Sequence, residues 1–206
     1  MSLNLLLLEK ALKKRLIYPY RWHGKQNNTD DNATNFVYNI RSYWVLEKEI
    51  AILSPRLKDI ARNRWYNFWS AQWVEQIFAT DPRIQAHKDK KHTTVDFYID
   101  NLGFDHKTTI FPRAYTHDIH YAKDNKKHLI EWLYKNQSSE QRQHYENRIF
   151  ICLYDTQKWQ HWKLKAEILL IEKYIKIYMS SYDKNKLIHL SHDGKTIYSD
   201  IIWVII

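Results

Sequence analysis

The sequence predicts an α/β fold with a central mixed β-sheet flanked by helices. Three stretches carry that expectation. Ser54-Pro55 opens a segment whose apolar positions recur at near-helical spacing as far as Ala79. Residues 93–100 then alternate cleanly, with Val95, Phe97 and Ile99 on one face and Thr94, Asp96 and Tyr98 on the other, and Phe104 to Phe111 form a second strand-like run. Arg148 to Tyr154 is a continuous apolar run, short enough for a buried strand. Helices interspersed with a strand meander imply a mixed sheet with helices packed on it.

Composition bounds the function. Of 206 residues, 44% are apolar and 15% aromatic, enough for a real core and too many for a disordered chain. Three Gly and four Pro exclude collagen-like and low-complexity classes. A single Cys permits no internal disulfide and no Cys-based zinc site, so a reducing compartment is expected. No stretch approaches the ~20 apolar residues of a membrane span. Leu5 to Leu8 precede their basic residues instead of following them, the reverse of a secretory signal. The expectation is a cytoplasmic protein with no membrane partner. Thirty-two Lys and Arg against 23 Asp and Glu give a net charge of +9, which suits nucleic acid, an anionic membrane surface, or solubility alone.

The remaining elements follow in order. Residues 2–16 read as an amphipathic helix, and residues 23–35, polar almost throughout, as an exposed loop. Residues 36–53 are ambiguous between helix and strand. Ser54 is the N-cap and Pro55 the first position of the next helix, which Asp81-Pro82 ends. Residues 83–87 read as a short strand, 88–91 as a charged turn, and Asn101-Leu102-Gly103 as a hairpin turn in which Gly allows a positive φ. Pro112 stops the second long strand. Residues 124–136 read as a helix, 160–179 as helical or helical then extended, and 187–206 as a hairpin around Ser191-His192-Asp193-Gly194. The expected organisation is an N-terminal region over 1–53, suited to recognition or dimer contacts, a core over 54–155, and a C-terminal helix and hairpin over 156–206 extending the same domain.

Asp105-His106-Lys107 is the sharpest chemical feature. Asp-x-Lys recurs at Asp89, Asp124 and Asp193, but in turns or at a helix start, where both residue types are common for local reasons. The copy at Asp105 lies inside a strand, so Asp105 and Lys107 share a face, and two charges on one face of an inner strand need compensation. Lys107 also reads as an edge-strand lysine. Pairing across the turn brings Asp96 near Asp105, and two close carboxylates repel unless a cation or a proton sits between them. Such oxygen ligands suit Mg²⁺. Glu75, on the polar side of the preceding helix, is either a third carboxylate or an ordinary exposed residue. Thr109 shares the Asp105 face, and Arg113 and Tyr115 follow Pro112 where phosphate contact is expected. Arg62-Asn63-Arg64-Trp65-Tyr66 suits phosphate contact with base stacking, or a solvated basic helix face with buried aromatics. His117 and His120 make only a weak zinc pair. Cys152 reads as core. Glycine is too scarce for a phosphate-cradling loop.

Glu75 on a helix, Asp96 on a strand and Asp105-His106-Lys107 on the next resemble the PD-(D/E)xK nuclease superfamily, the restriction-endonuclease-like fold. The resemblance extends over residues 55–155, whose order is helix, three-strand meander, helix, strand. Val95 stands where that family often has Pro, and Asp105 where Glu is common. The resemblance implies that Asp96, Asp105 and Glu75 hold Mg²⁺ or Mn²⁺, and that Lys107 positions or activates the attacking water. It implies a metal-dependent endonuclease for double-stranded DNA, in the form of a type II restriction enzyme acting as a homodimer. Two other readings stand beside it: a repair, junction or RNA nuclease on the same fold, and a nucleic-acid- or partner-binding module without catalysis.

Overall fold

The computed structural model of the chain describes residues 4–25, 27–86, 95–136 and 146–206. The elements are α1 (Leu5–Arg15), α2 (Asn28–Thr34), α3 (Tyr43–Glu49), α4 (Pro55–Phe78), β1 (Ile84–Ala86), β2 (Phe97–Ile99), β3 (Leu102–Ile110), α5 (Ile119–Asp124), α6 (Lys126–Asn136), β4 (Arg148–Tyr154), α7 (Ile168–Ser180), β5 (Ile188–His192) and β6 (Lys195–Ile205). Short 3-10 turns occupy Asn35–Asn39, Ile50–Ile52, His161–Ala166 and Lys184–Lys186. The expected charged turn at 88–91 and the start of the alternating segment at 93–94 lie outside the described residues. Among the described residues no helix is long and apolar enough to cross a membrane.

The chain divides into two units, residues 1–74 with 163–169 and residues 75–162 with 170–206. The division falls inside α4, and the C-terminal stretch supplies two of the six strands.

The first unit is helical. Leu5, Leu8 and Leu12 bury one face of α1, with Asn4 capping the helix by accepting from the Leu7 N–H at 3.1 Å. Residues 28–34 are not the expected exposed loop. They form α2, capped by Asn27, and Asp30 is buried because Arg56 grips both its carboxylate oxygens at 2.5 Å. A helix stabilised by ion pairing has no apolar period for sequence to reveal. Arg15 is fully buried, and its guanidinium donates to the carbonyls of Tyr18 (2.7 Å) and Pro19 (2.9 Å) and to Asn63 Oδ1. The rings of Tyr20 and Tyr66 flank it at 5.3 and 5.7 Å.

The second unit carries a six-stranded sheet in the order β1-β2-β3-β4-β6-β5. The meander β1-β2-β3 is antiparallel, β4 runs parallel to both β3 and β6, and β5 pairs antiparallel with β6. The sheet is therefore mixed, as expected. Its continuous apolar strand, β4, is central and buried from Ile149 to Tyr154. Phe111, Ile119, Leu129, Ile130 and Leu133 cover one face, packing with Phe150, Cys152, Tyr154 and Ile201. Cys152 is thus a core residue. On the other face Phe78, at the end of α4, stacks on Phe97 with centroids 4.6 Å apart. Helix α7 buries Ile171, Ile175 and Met179, and its Tyr174 hydroxyl donates to the Ile205 carbonyl at 3.2 Å.

The β2–β3 turn sits one residue earlier than expected. Asp100 and Asn101 take the positive φ values, 48° and 67°, while Gly103 lies in β3 opposite Tyr98. Asp and Asn tolerate that region better than other non-glycine residues. Gly103 is favoured for a different reason: a Cβ there would lie a tight 3.1–3.2 Å from the side chains of Val95 and Tyr98. At the β5–β6 turn, Asp193 and Gly194 take φ values of 48° and 74°, as their dipeptide predicts.

Replacing Arg15 with Met removes the donors to the Tyr18 and Pro19 carbonyls and to the buried Asn63 Oδ1, each costing of the order of 1 kcal/mol. Urea unfolding should therefore show Arg15→Met destabilised by about 3 kcal/mol; a loss below about 1 kcal/mol would contradict this account of the buried guanidinium.

Candidate active site

Backbone geometry creates a gap that Asp96 fills. β2 pairs with β3 only from Phe97, opposite Phe104, and the Asp96 N–H adds one further bond to the Phe104 carbonyl at 2.8 Å. The Asp105 N–H points the other way, donating to the Asn147 carbonyl beside β4 at 2.9 Å. The His106 N–H therefore faces the side where β2 no longer supplies an acceptor. Asp96 Oδ2 accepts it at 2.8 Å and also accepts from His106 Nδ1 at 2.7 Å. The His106 ring lies against Phe97 and Phe78, with centroids 6.1 and 6.4 Å away.

Asp105 and Lys107 project to the opposite face of β3 from His106, in register with Arg148 and Phe150 of β4. Arg148 Nε donates to Asp105 Oδ2 at 2.5 Å. The guanidinium lies 5.4 Å from the Tyr134 ring and 5.7 Å from that of Phe150. Tyr134 is itself fixed by donating to the Glu146 carbonyl at 2.6 Å. The pairing of Phe97 with Phe104 places Asp96 beside Asp105 across the turn, and each carboxyl influences the other's charge.

Their surroundings drive the two acids apart. Burial pushes the Asp96 carboxyl up, but the hydrogen bond and charge of His106 outweigh it, and the group sits below the ordinary carboxylate range. Burial raises Asp105, and the Asp96 charge adds to this against the pull of Arg148, so Asp105 sits above that range. Burial works against the His106 imidazolium, yet Asp96 prevails and holds it above its usual value. Lys107 is pushed down by burial and by the Arg148 guanidinium, against the pull of Asp105. It makes no ion pair among the described residues. The two acids are thus shifted in opposite directions, Asp96 down and Asp105 up, beside a lysine shifted down.

The other expected site residues fall differently. Glu75 contributes a charge that favours the His106 imidazolium. It does not complete a three-acid cluster, for among the described residues no three His, Cys, Asp or Glu side chains converge to hold a metal ion. Thr109 shares the Asp105 face but is buried, its hydroxyl donating to the Ile110 carbonyl at 3.1 Å. Tyr115 is a core residue whose hydroxyl meets His128 Nδ1 at 2.8 Å. Arg113 is exposed.

Arg62 and Arg64 are not free for phosphate. In the helical unit Arg62 clamps Glu47 at 2.7 and 2.8 Å, and Arg64 reaches Asp31, Thr34, Asn35 and Tyr38. Both are buried, so the basic run serves the fold of its own unit, with its aromatics alongside. His117 stacks on Tyr121 at 3.9 Å and belongs to no three-ligand cluster among the described residues. Sequence reasoning missed His106 and Arg148. His106 sat between the two charged residues of interest, and Arg148 was the one charge opening an apolar run.

Comparison with protein-family models, curated proteins and solved structures finds no match. The acidic donors present are two carboxylates, each already paired with a protein cation. His106 engages Oδ2 of Asp96 and Arg148 engages Oδ2 of Asp105, and Mg²⁺ commonly takes one or two carboxylates and completes its shell with water and substrate phosphate.

The Asp96–His106 pair fixes a pH window. Its His106 share of stability is full below the ordinary histidine value, about 6.5, and is lost as pH rises through the raised folded value. Its Asp96 share is full above the ordinary carboxylate value, about 3.9, and is lost as pH falls through the depressed one. In urea unfolding from pH 5 to 8.5, the wild type should lose stability with rising pH more steeply than His106→Gln. Equal slopes would mean that His106 carries no charge in the fold.

Proposed function

We propose that this chain is a metal-dependent endonuclease that hydrolyses DNA phosphodiester bonds, acting in the manner of a type II restriction enzyme. The observation that carries the reading is the meeting of Asp96 with Asp105 across the β2–β3 turn, with Lys107 next along the Asp105 face. The order helix, three-strand meander, two helices, strand over residues 55–154 supports it, as does the resemblance carried by Asp96 and Asp105-His106-Lys107. The +9 charge favours a polyanionic substrate.

Each residue has a task in this reading. Asp96 and Asp105 hold the hard cation through carboxylate oxygen, and Glu75 is left out. Mg²⁺ bound there supplies charge neutralisation of the phosphodiester and a more acidic water. Asp96 stays ionised because His106 holds it so. Asp105 is the acid whose charge changes most easily. Lys107, with its ammonium destabilised by burial, orients the attacking water and can accept its proton. Arg113, exposed just beyond β3, is the remaining expected phosphate contact. A two-fold dimer would match a palindromic duplex, one half-site per subunit.

One observation favours a second reading, a nucleic-acid-binding module without catalysis: both carboxylates already have protein cations as partners, so the cluster is self-neutralised as it stands. Cleavage assays separate the two. The purified protein is incubated with duplex, branched and single-stranded DNA and with RNA, in Mg²⁺ or in EDTA. The expected outcome is Mg²⁺-dependent cutting of duplex DNA, reduced at least about a thousandfold by Asp105→Asn and by Lys107→Ala. Cutting confined to branched DNA or RNA would move the activity to a repair, junction or RNA task. Binding with no cutting of any substrate, or cutting that survives both substitutions, would remove the enzyme reading.

A further inference from the structure

Two acids meet three bases at this site: Asp96 and Asp105 against His106, Lys107 and Arg148. A divalent cation gains little from carboxylates whose charge is already balanced, so its binding requires that a base give way. His106 is not that base. Its side chain is 6% exposed, its ring packs against Phe97 and Phe78, and its backbone N–H is bonded to the same Asp96 oxygen as its ring. Lys107 blocks neither carboxylate, having no ion pair among the described residues.

Arg148 differs. Its hold on Asp105 is through Nε alone, and the donors on Nη1 and Nη2 have no hydrogen-bond partner among the described residues. Its side chain is 15% exposed, and the Tyr134 and Phe150 rings beside it offer a surface along which the planar group can swing while keeping cation–π contact. A guanidinium with unused paired donors is well matched to a phosphate.

We propose that Arg148 is the displaceable counterion of Asp105: it leaves that carboxylate when a divalent cation binds and turns its guanidinium to the substrate phosphate. This rests on the metallonuclease reading and adds to it a residue from outside the Asp-x-Lys motif. The resting site then holds its acids neutralised until cation and substrate arrive together, and Arg148 moves from one anion to the next without being left unpaired.

The test uses the whole chain and, first, the metal alone. Titration calorimetry with Mn²⁺ and no DNA should give at least about tenfold tighter binding to Arg148→Met than to the wild type, because the competitor for Asp105 is gone. Met keeps an unbranched apolar stem against the rings. In the wild type, the Arg148 Nε–H resonance should shift on titration with Mg²⁺, a measurement that stands even if the variant fails to fold. Duplex binding in Ca²⁺ should weaken about tenfold in Arg148→Met. Equal Mn²⁺ affinity in variant and wild type, an Nε–H signal that ignores Mg²⁺, or unchanged duplex affinity would each overturn the proposal. If the wild type nevertheless bound Mn²⁺ and cut DNA, the nuclease reading would survive that failure. A wild type that neither binds Mn²⁺ nor cuts would overturn both.

Discussion

Two carboxylates sit side by side in the second unit because strand pairing stops one residue short. Had β2 continued past Phe97 as a regular strand, a backbone carbonyl would have met the His106 N–H. Asp96 meets it instead, which turns its carboxylate toward His106 while keeping it beside Asp105 across the turn. Bringing two negative groups together in a half-buried place is unfavourable unless positive charge is supplied locally. His106 supplies it from one face of β3 and Arg148 from the adjacent strand. Everything chemical about the site follows from this: an acid whose ionised form is favoured, a neighbour whose ionised form is disfavoured, and a lysine whose ammonium is destabilised by burial and by Arg148.

That arrangement tolerates no slip in register. Moving β3 by one residue would carry Asp105 and Lys107 to the face where Phe97 and Phe78 pack, and would turn His106 toward Tyr134 and Phe150. Several features guard against it. Phe97, Ile99 and Phe104 are buried. Asp100 and Asn101 accept the positive φ values of the turn, and Gly103 lets Val95 and Tyr98 approach closely where a Cβ would crowd them. On the β4 side, Asn147 ties three strands at once: its carbonyl accepts from Asp105, its amide donates to the Gly103 carbonyl at 3.0 Å, and its Oδ1 accepts from the Tyr198 N–H at 2.8 Å.

How much of this could be read in the sequence depended on whether apolar pattern or polar pairing did the work. Strand β4 was legible to the residue because burial on both faces leaves an unbroken apolar run. The meeting of Asp96 with Asp105 was legible because antiparallel pairing across a short turn forces it, even though the turn itself lay one residue earlier than expected. Helix α2 was not legible, since Asp30 is buried by its ion pair with Arg56 and leaves no apolar period. Arg62 and Arg64 misled for the same reason. A basic run beside aromatics is the composition of a nucleic-acid surface, and it is equally the composition of a helix whose arginines are spent on Glu47, Asp31 and Tyr38 within its own unit. Composition records charge but not the partner of each charge.

The same distinction governs the excess of positive charge. Internal pairing leaves the +9 balance intact as a long-range field, so it still favours an anionic partner at a distance. What pairing changes is which cations can touch that partner. Arg15, Arg56, Arg62 and Arg64 are committed to carbonyls and carboxylates of the helical unit. In the sheet unit Lys126 is committed to Asp200 at 2.6 Å. Arg148 stands between these cases, held by a single nitrogen to an acid that burial already inclines toward its neutral form. Protonation of Asp105 would remove the charge that attracts Arg148, just as cation binding would compete for it. A guanidinium held so conditionally suits a site whose occupant carries its own negative charge, whereas one fixed like Arg62, clamped by both oxygens of Glu47, suits only the fold.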